Sequence, residues 1–132
     1  MAAYPLTTLA IILAILLYFV LGALVGAARA KFNVPSPLPT GHPEFDKRNR
    51  VHINTLEQLA LFLPAIFLAA PVLGDQLTAV AGLVWSLGRI VYARGYYADA
   101  GKRGPGFGIT MVATLVLIIA AGYGAVMALI AG

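Results

Sequence analysis

The sequence predicts an all-α integral membrane protein, a four-helix bundle folded as a single domain over residues 1–132. Three observations lead there. Hydrophobic residues make up 61% of the chain and charged ones only 11%, against ~45–50% and ~25% in a soluble globular domain. Four apolar spans each match or exceed the ~20 residues that a ~30 Å hydrocarbon layer requires. All nine basic residues fall in stretches that those spans bring to one membrane face, the pattern of the positive-inside bias. Backbone groups in lipid must be paired within the segment, so the spans are expected to be helices.

The first span runs from about Pro5 to Ala28. It has no basic leader and exceeds the ~7–15 apolar residues of a signal-peptide core, so it reads as a retained helix. Pro5 falls in its first turn, where a missing N–H is tolerated. The second span covers about Arg50 to Leu73, the third Gln76 to Tyr97 and the fourth Phe107 to Ile130. A tight "GDQ" turn joins the second to the third, with Gly74 as its C-cap. A polar "ADAGKRGPG" joins the third to the fourth. Between the first two spans lies "KFNVPSPLPTGHPEFDKRN", whose four prolines are expected to hold it extended as an ordered cover. Pro64 is expected to kink the second span. Trp85 lies mid-span and reads as a packing residue, as does the GxxxG pair Gly22 and Gly26.

Four crossings leave both termini on one side with the Gly74 turn. The long loop and the Arg103 loop share the other side with the Lys and Arg residues, which places that side in the cytoplasm and the termini outside. The missing retention signal and the short chain favour a bacterial inner membrane. There is no cysteine, so disulfides and thiolate metal sites are excluded. Two histidines make no dedicated metal site. The formal charge of +4 needs no nucleic acid, because the basic residues follow membrane topology.

The polar residues inside the spans carry the functional signal. In "RVHINTLE", residues 50–57, Arg50, Asn54 and Glu57 are spaced i, i+4, i+7 and share one helix face. His52 lies about 160° from Asn54 around the helix and faces a neighbour or the headgroups. In the third span Arg89, Tyr92 and Tyr96 share another face. Two readings stand. Arg50 and Glu57 form an internal charge pair and Asn54 glues helices together; or the two polar faces open on a pocket at the cytoplasmic side. Arg50 offers a donor fork to a carboxylate, Glu57 accepts from an ammonium, and Asn54 does both. Arg103, just above, is a permanent cation that favours a thiolate over a thiol. An anionic peptide thiol suits such a set, though these residues alone do not single it out.

"RVHINTLE", the "RIVYARGYY" of span three and the "PSPLPTGHPEF" loop, in this order and at these separations, resemble the MAPEG superfamily, the membrane-associated proteins of eicosanoid and glutathione metabolism. The likeness is to its leukotriene-synthase and microsomal glutathione-transferase branch and covers nearly the whole chain. It implies a homotrimer that binds glutathione between subunits. It further implies an enzyme that activates the glutathione thiol against a lipophilic electrophile or lipid hydroperoxide. By motif, Arg50, Asn54 and Glu57 would hold the polar ends of glutathione, and Tyr92 and Tyr96 would line its site beside Arg89. Arg103 would stabilise the thiolate. Arg29 matches an arginine placed near the sulfur from the adjoining chain, and His52 a polar residue that touches glutathione. Gln58 stands where the family's synthase branch has a tyrosine. Ala30 replaces a second arginine, and the "GPG" after Arg103 is shorter than in that branch. A non-catalytic lipid-binding or scaffold protein of the same fold is the other function implied.

Overall fold

Residues 5 to 31 form the first element in a computed structural model that describes all 132 residues. This helix, α1 (Pro5–Lys31), is followed by α2 (Pro43–Ala98), a short 3-10 turn (Ala100–Arg103) and α3 (Gly104–Ala131). The expected second and third spans both lie within α2, which reverses direction part-way along. Its backbone leaves helical torsions only at Gly74, with φ 79° and ψ 170°. A side chain disfavours that positive φ, and glycine does not. This one-residue break divides α2 into two helical arms, which lie where the second and third spans were expected. The two arms of α2, residues 43–73 and 75–98, each exceed the ~20 residues of a membrane crossing.

The arms run back along each other. Asn54 meets Arg89, and Phe62 stacks on Trp85 with ring centroids 4.3 Å apart. As the first arm advances the second retreats, so the arms are antiparallel. Phe62 and Trp85 are fully buried and join Ile11, Leu59, Ile66 and Leu117 in the core, so Trp85 is a packing residue as expected. Outward-facing Phe19, Leu68, Leu77 and Ile119 are exposed, as side chains that face lipid should be. All three helices are long and apolar enough to cross a membrane.

Several boundaries differ from those expected, each for a local reason. Helix α2 starts seven residues early. Pro43 occupies its first turn and His42 Nδ1 accepts from the Glu44 backbone N–H at 3.1 Å. A proline in this place opens a helix rather than preventing one. Likewise Pro105 lies in the first turn of α3, which begins at Gly104. Pro64 and Pro71 lie inside α2 without taking its backbone out of helical torsions. Gly22 packs on His52, whereas Gly26 meets nothing within 4 Å.

The proline-rich segment is short and held down. Arg29 donates to the carbonyls of Pro35 and Leu38 at 3.1 and 2.9 Å. Asn49 donates to Pro39 O at 2.9 Å, and Asp46 accepts from the Gly41 N–H at 2.9 Å. These bonds replace the regular ladder that its prolines forbid.

Candidate functional site

The first arm of α2 carries Arg50 and Asn54 on one face. The second arm brings Tyr92 and Tyr96 against them, and the α3 entrance adds Arg103, Gly104 and Phe107. Together these seven residues line a polar cavity of about 340 Å³. That is at the small end of the ~300–1,000 Å³ of ligand pockets. The aromatic wall is continuous, with ring centroids 5.7 Å apart for Tyr92 and Tyr96 and 6.4 Å for Tyr92 and Phe107.

Glycine sets how closely α3 approaches this wall. A Cβ on Gly106 would collide with the backbone of Tyr92. No other residue allows this crossing, which draws Arg103 and Phe107 over the end of the second arm. Arg103 is exposed and donates to Ala100 O at 2.9 Å. That bond uses one guanidinium nitrogen and leaves the other donors for a ligand.

Arg50 donates to Glu57 Oε1 at 3.2 Å, with both side chains 51% exposed. Glu57 does not line the cavity. The internal charge pair and the pocket, posed as alternatives by the sequence, are both present. A second cavity of about 360 Å³ adjoins the first and shares Arg50 and Tyr96 with it; Pro39 and Thr40 of the proline-rich segment form its roof.

Other expected residues lie elsewhere in this chain. His52 stacks on Tyr18 of α1, with centroids 4.4 Å apart and planes 15° apart, away from the cavity. Arg29 binds loop carbonyls and lies over the Phe45 ring at 4.6 Å. Gln58 is buried, and its Oε1 has no hydrogen-bond partner. Arg89 is fully buried, donates to Asn54 Oδ1 at 2.8 Å and covers the Tyr92 ring at 4.1 Å. It sits behind the cavity wall rather than in it.

Gly104 and Phe107 were missed as lining residues. The signal was Pro105: a helix beginning one residue before it puts Phe107 one turn after Arg103, on the same face.

The cavity is thus rich in donors, walled by aromatics and set at the basic end of an apolar bundle. Residues 7–123 match the profile of the MAPEG family. The chain belongs to the MAPEG family. An uncharacterized protein of Synechocystis sp. is 47% identical to this MAPEG chain over 109 residues, covering 83% of this chain and 80% of that one. Human microsomal glutathione S-transferase 2 is 36% identical over 100 residues, 74% of this chain and 68% of the human one. Bovine leukotriene C4 synthase is 35% identical over 92 residues, covering 70% of this chain. The match spans 61% of the synthase, less than two thirds of its length. This MAPEG chain is accordingly an all-α membrane protein.

Proposed function

We propose that this chain is an integral-membrane glutathione transferase, with glutathione-dependent peroxidase activity at the same site. The observation that carries this reading is the single cavity in which Arg50, Asn54, Tyr92, Tyr96 and Arg103 converge. Arg50 and Asn54 hold carboxylate ends of glutathione, the tyrosines wall its backbone, and Arg103 favours the thiolate. The thiolate sulfur bonds to an electrophilic carbon of a lipophilic substrate, and the leaving group departs or an epoxide oxygen takes up a proton. With a lipid hydroperoxide, two glutathiones become the disulfide while the peroxide becomes an alcohol and water.

A homotrimer suits the outer surface. Glu57 and Arg50 are half exposed on a stretch where Leu56 and Leu61 are also exposed. A charged pair facing lipid is costly, and a neighbouring subunit covers it. In that assembly Glu57, His52 and Arg29 act at the site from subunit boundaries, and Gln58 supports it from behind. The site faces the cytoplasm, in keeping with the basic residues around it, and the bacterial inner membrane is the proposed location. Membrane lipid surrounds the bundle and delivers the apolar substrate.

The test is a panel of conjugation and hydroperoxide assays with glutathione on wild type and Arg103→Ala. Turnover by wild type that falls by about tenfold or more in the variant is expected, as one pKa unit of lost thiolate stabilisation gives. Absence of both glutathione binding and turnover refutes the reading. A second reading, a non-catalytic lipid-binding or scaffold protein, draws on an apolar groove of about 590 Å³ between α2 and α3, bordered by Ala60, Pro64 and Gly122. It requires an apolar ligand that binds without glutathione and forms no conjugate.

A further inference from the structure

Asn54 lies at the junction of two environments. Its side-chain oxygen accepts from Arg89 Nη1 at 2.8 Å. Its side-chain nitrogen makes no hydrogen bond within the chain, and Asn54 lines the polar cavity. A guanidinium donates at every N–H and accepts nowhere, so the Asn54 atom that meets it must be the oxygen. The amide can then offer the cavity only its NH₂ group.

Arg89 is built to hold this orientation. It is fully buried, lies across the Tyr92 ring at 4.1 Å and takes part in no ion pair. Its Nε and Nη2 lack partners, as do the buried oxygens of Gln58, four residues after Asn54, and Ser86, three residues before Arg89. No carboxylate pairs with it, so its charge stands uncancelled behind the cavity wall.

We infer that Arg89 is a positioning residue that locks Asn54 with its NH₂ group towards the cavity, which makes the Asn54 subsite specific for an anionic acceptor. The subsite takes a carboxylate and rejects an ammonium. Naming that carboxylate as one of glutathione's rests on the function proposed above; the locked orientation does not. Arg50 and Arg103 line the same cavity, so the three groups form a donor-only surface. The ammonium of a zwitterionic ligand must then be met elsewhere.

Two substitutions at Asn54 separate the possibilities. Asn54→Asp keeps an acceptor for Arg89 but turns a second carboxylate oxygen on the cavity. Asn54→Leu leaves the buried guanidinium with no partner. In detergent without ligand, Asn54→Asp is expected to melt at or above wild type and Asn54→Leu below it. By calorimetry, Asn54→Asp is expected to bind glutathione about tenfold or more weakly than wild type, and no better than Asn54→Leu. Arg89→Met should also weaken binding, and Arg89→Lys, which keeps a donor, should restore part of it. Glutathione affinity in Asn54→Asp equal to wild type, or identical melting of the two Asn54 variants, overturns the inference. If wild type binds no glutathione, the proposed function fails, and the melting pair still decides whether Arg89 locks Asn54.

Discussion

The Asp75 carboxylate accepts the backbone N–H of Thr7 at 2.7 Å, and its other oxygen accepts that of Leu6 at 3.0 Å. The Thr7 hydroxyl donates back to the Asp75 carbonyl at 3.1 Å. The α2 turn thus caps the start of α1, and Tyr4, at the usual capping position, makes no side-chain cap. A carboxylate at a helix N-terminus satisfies free N–H groups and faces the positive end of the helix dipole.

Acid should loosen this clamp. Desolvation works against the Asp75 charge, but the hydrogen bonds from Thr7 and Leu6 outweigh it and hold the carboxyl below its ordinary range. A carboxyl lowered on folding contributes stability that is fully present above its unfolded value, about pH 4. That contribution is lost as pH falls through the lower folded value. Melting curves in detergent should show wild type losing its advantage over Asp75→Asn only below about pH 4. An advantage that does not change with pH would falsify the clamp's ionic character.

The α3 crossing gives a second prediction. Gly106→Ala must push α3 off the Tyr92 backbone, whereas Gly108 meets nothing within 4 Å. Overpacking of this kind destabilises by about 1–3 kcal/mol or more. Gly106→Ala should therefore melt lower and lose glutathione binding, while Gly108→Ala should behave as wild type. Equal behaviour of the two variants would show that the crossing does not shape the cavity.

Thiolate formation is the third. Arg103 lines the cavity and Arg94 does not. The ultraviolet thiolate band of bound glutathione at neutral pH should shrink about tenfold in Arg103→Ala, as one unit of pKa shift implies, and stay near wild type in Arg94→Ala. Equal loss in both variants would assign the effect to general surface charge.

The fourth concerns Arg29, which donates to two carbonyls of the proline-rich segment. Arg29→Ala should raise hydrogen exchange and protease cleavage across residues 35–41, where the Gly41 N–H and the Pro39 carbonyl bond to Asp46 and Asn49. Activity lost without any change in exchange would instead place Arg29 at the sulfur.

Residue order alone reveals the apolar spans, the one-sided distribution of Lys and Arg, and the polar faces that carry Arg50, Asn54, Tyr92 and Tyr96. Hydrocarbon thickness and helix periodicity act on neighbouring residues, so they can be read locally. The same local rules place the starts of α2 and α3 too late, because Pro43 and Pro105 each lie in a first turn, where proline opens a helix. Which polar residues meet is settled by packing between the helices. Asn54 joins Arg89 from 35 positions away, His52 turns to Tyr18, and Gln58 is buried in the bundle. These outcomes depend on the fold at Gly74 and on the rotation of each helix against its neighbours. No single helix face specifies its partner, so packing alone separates a residue in the cavity from one that stands behind it.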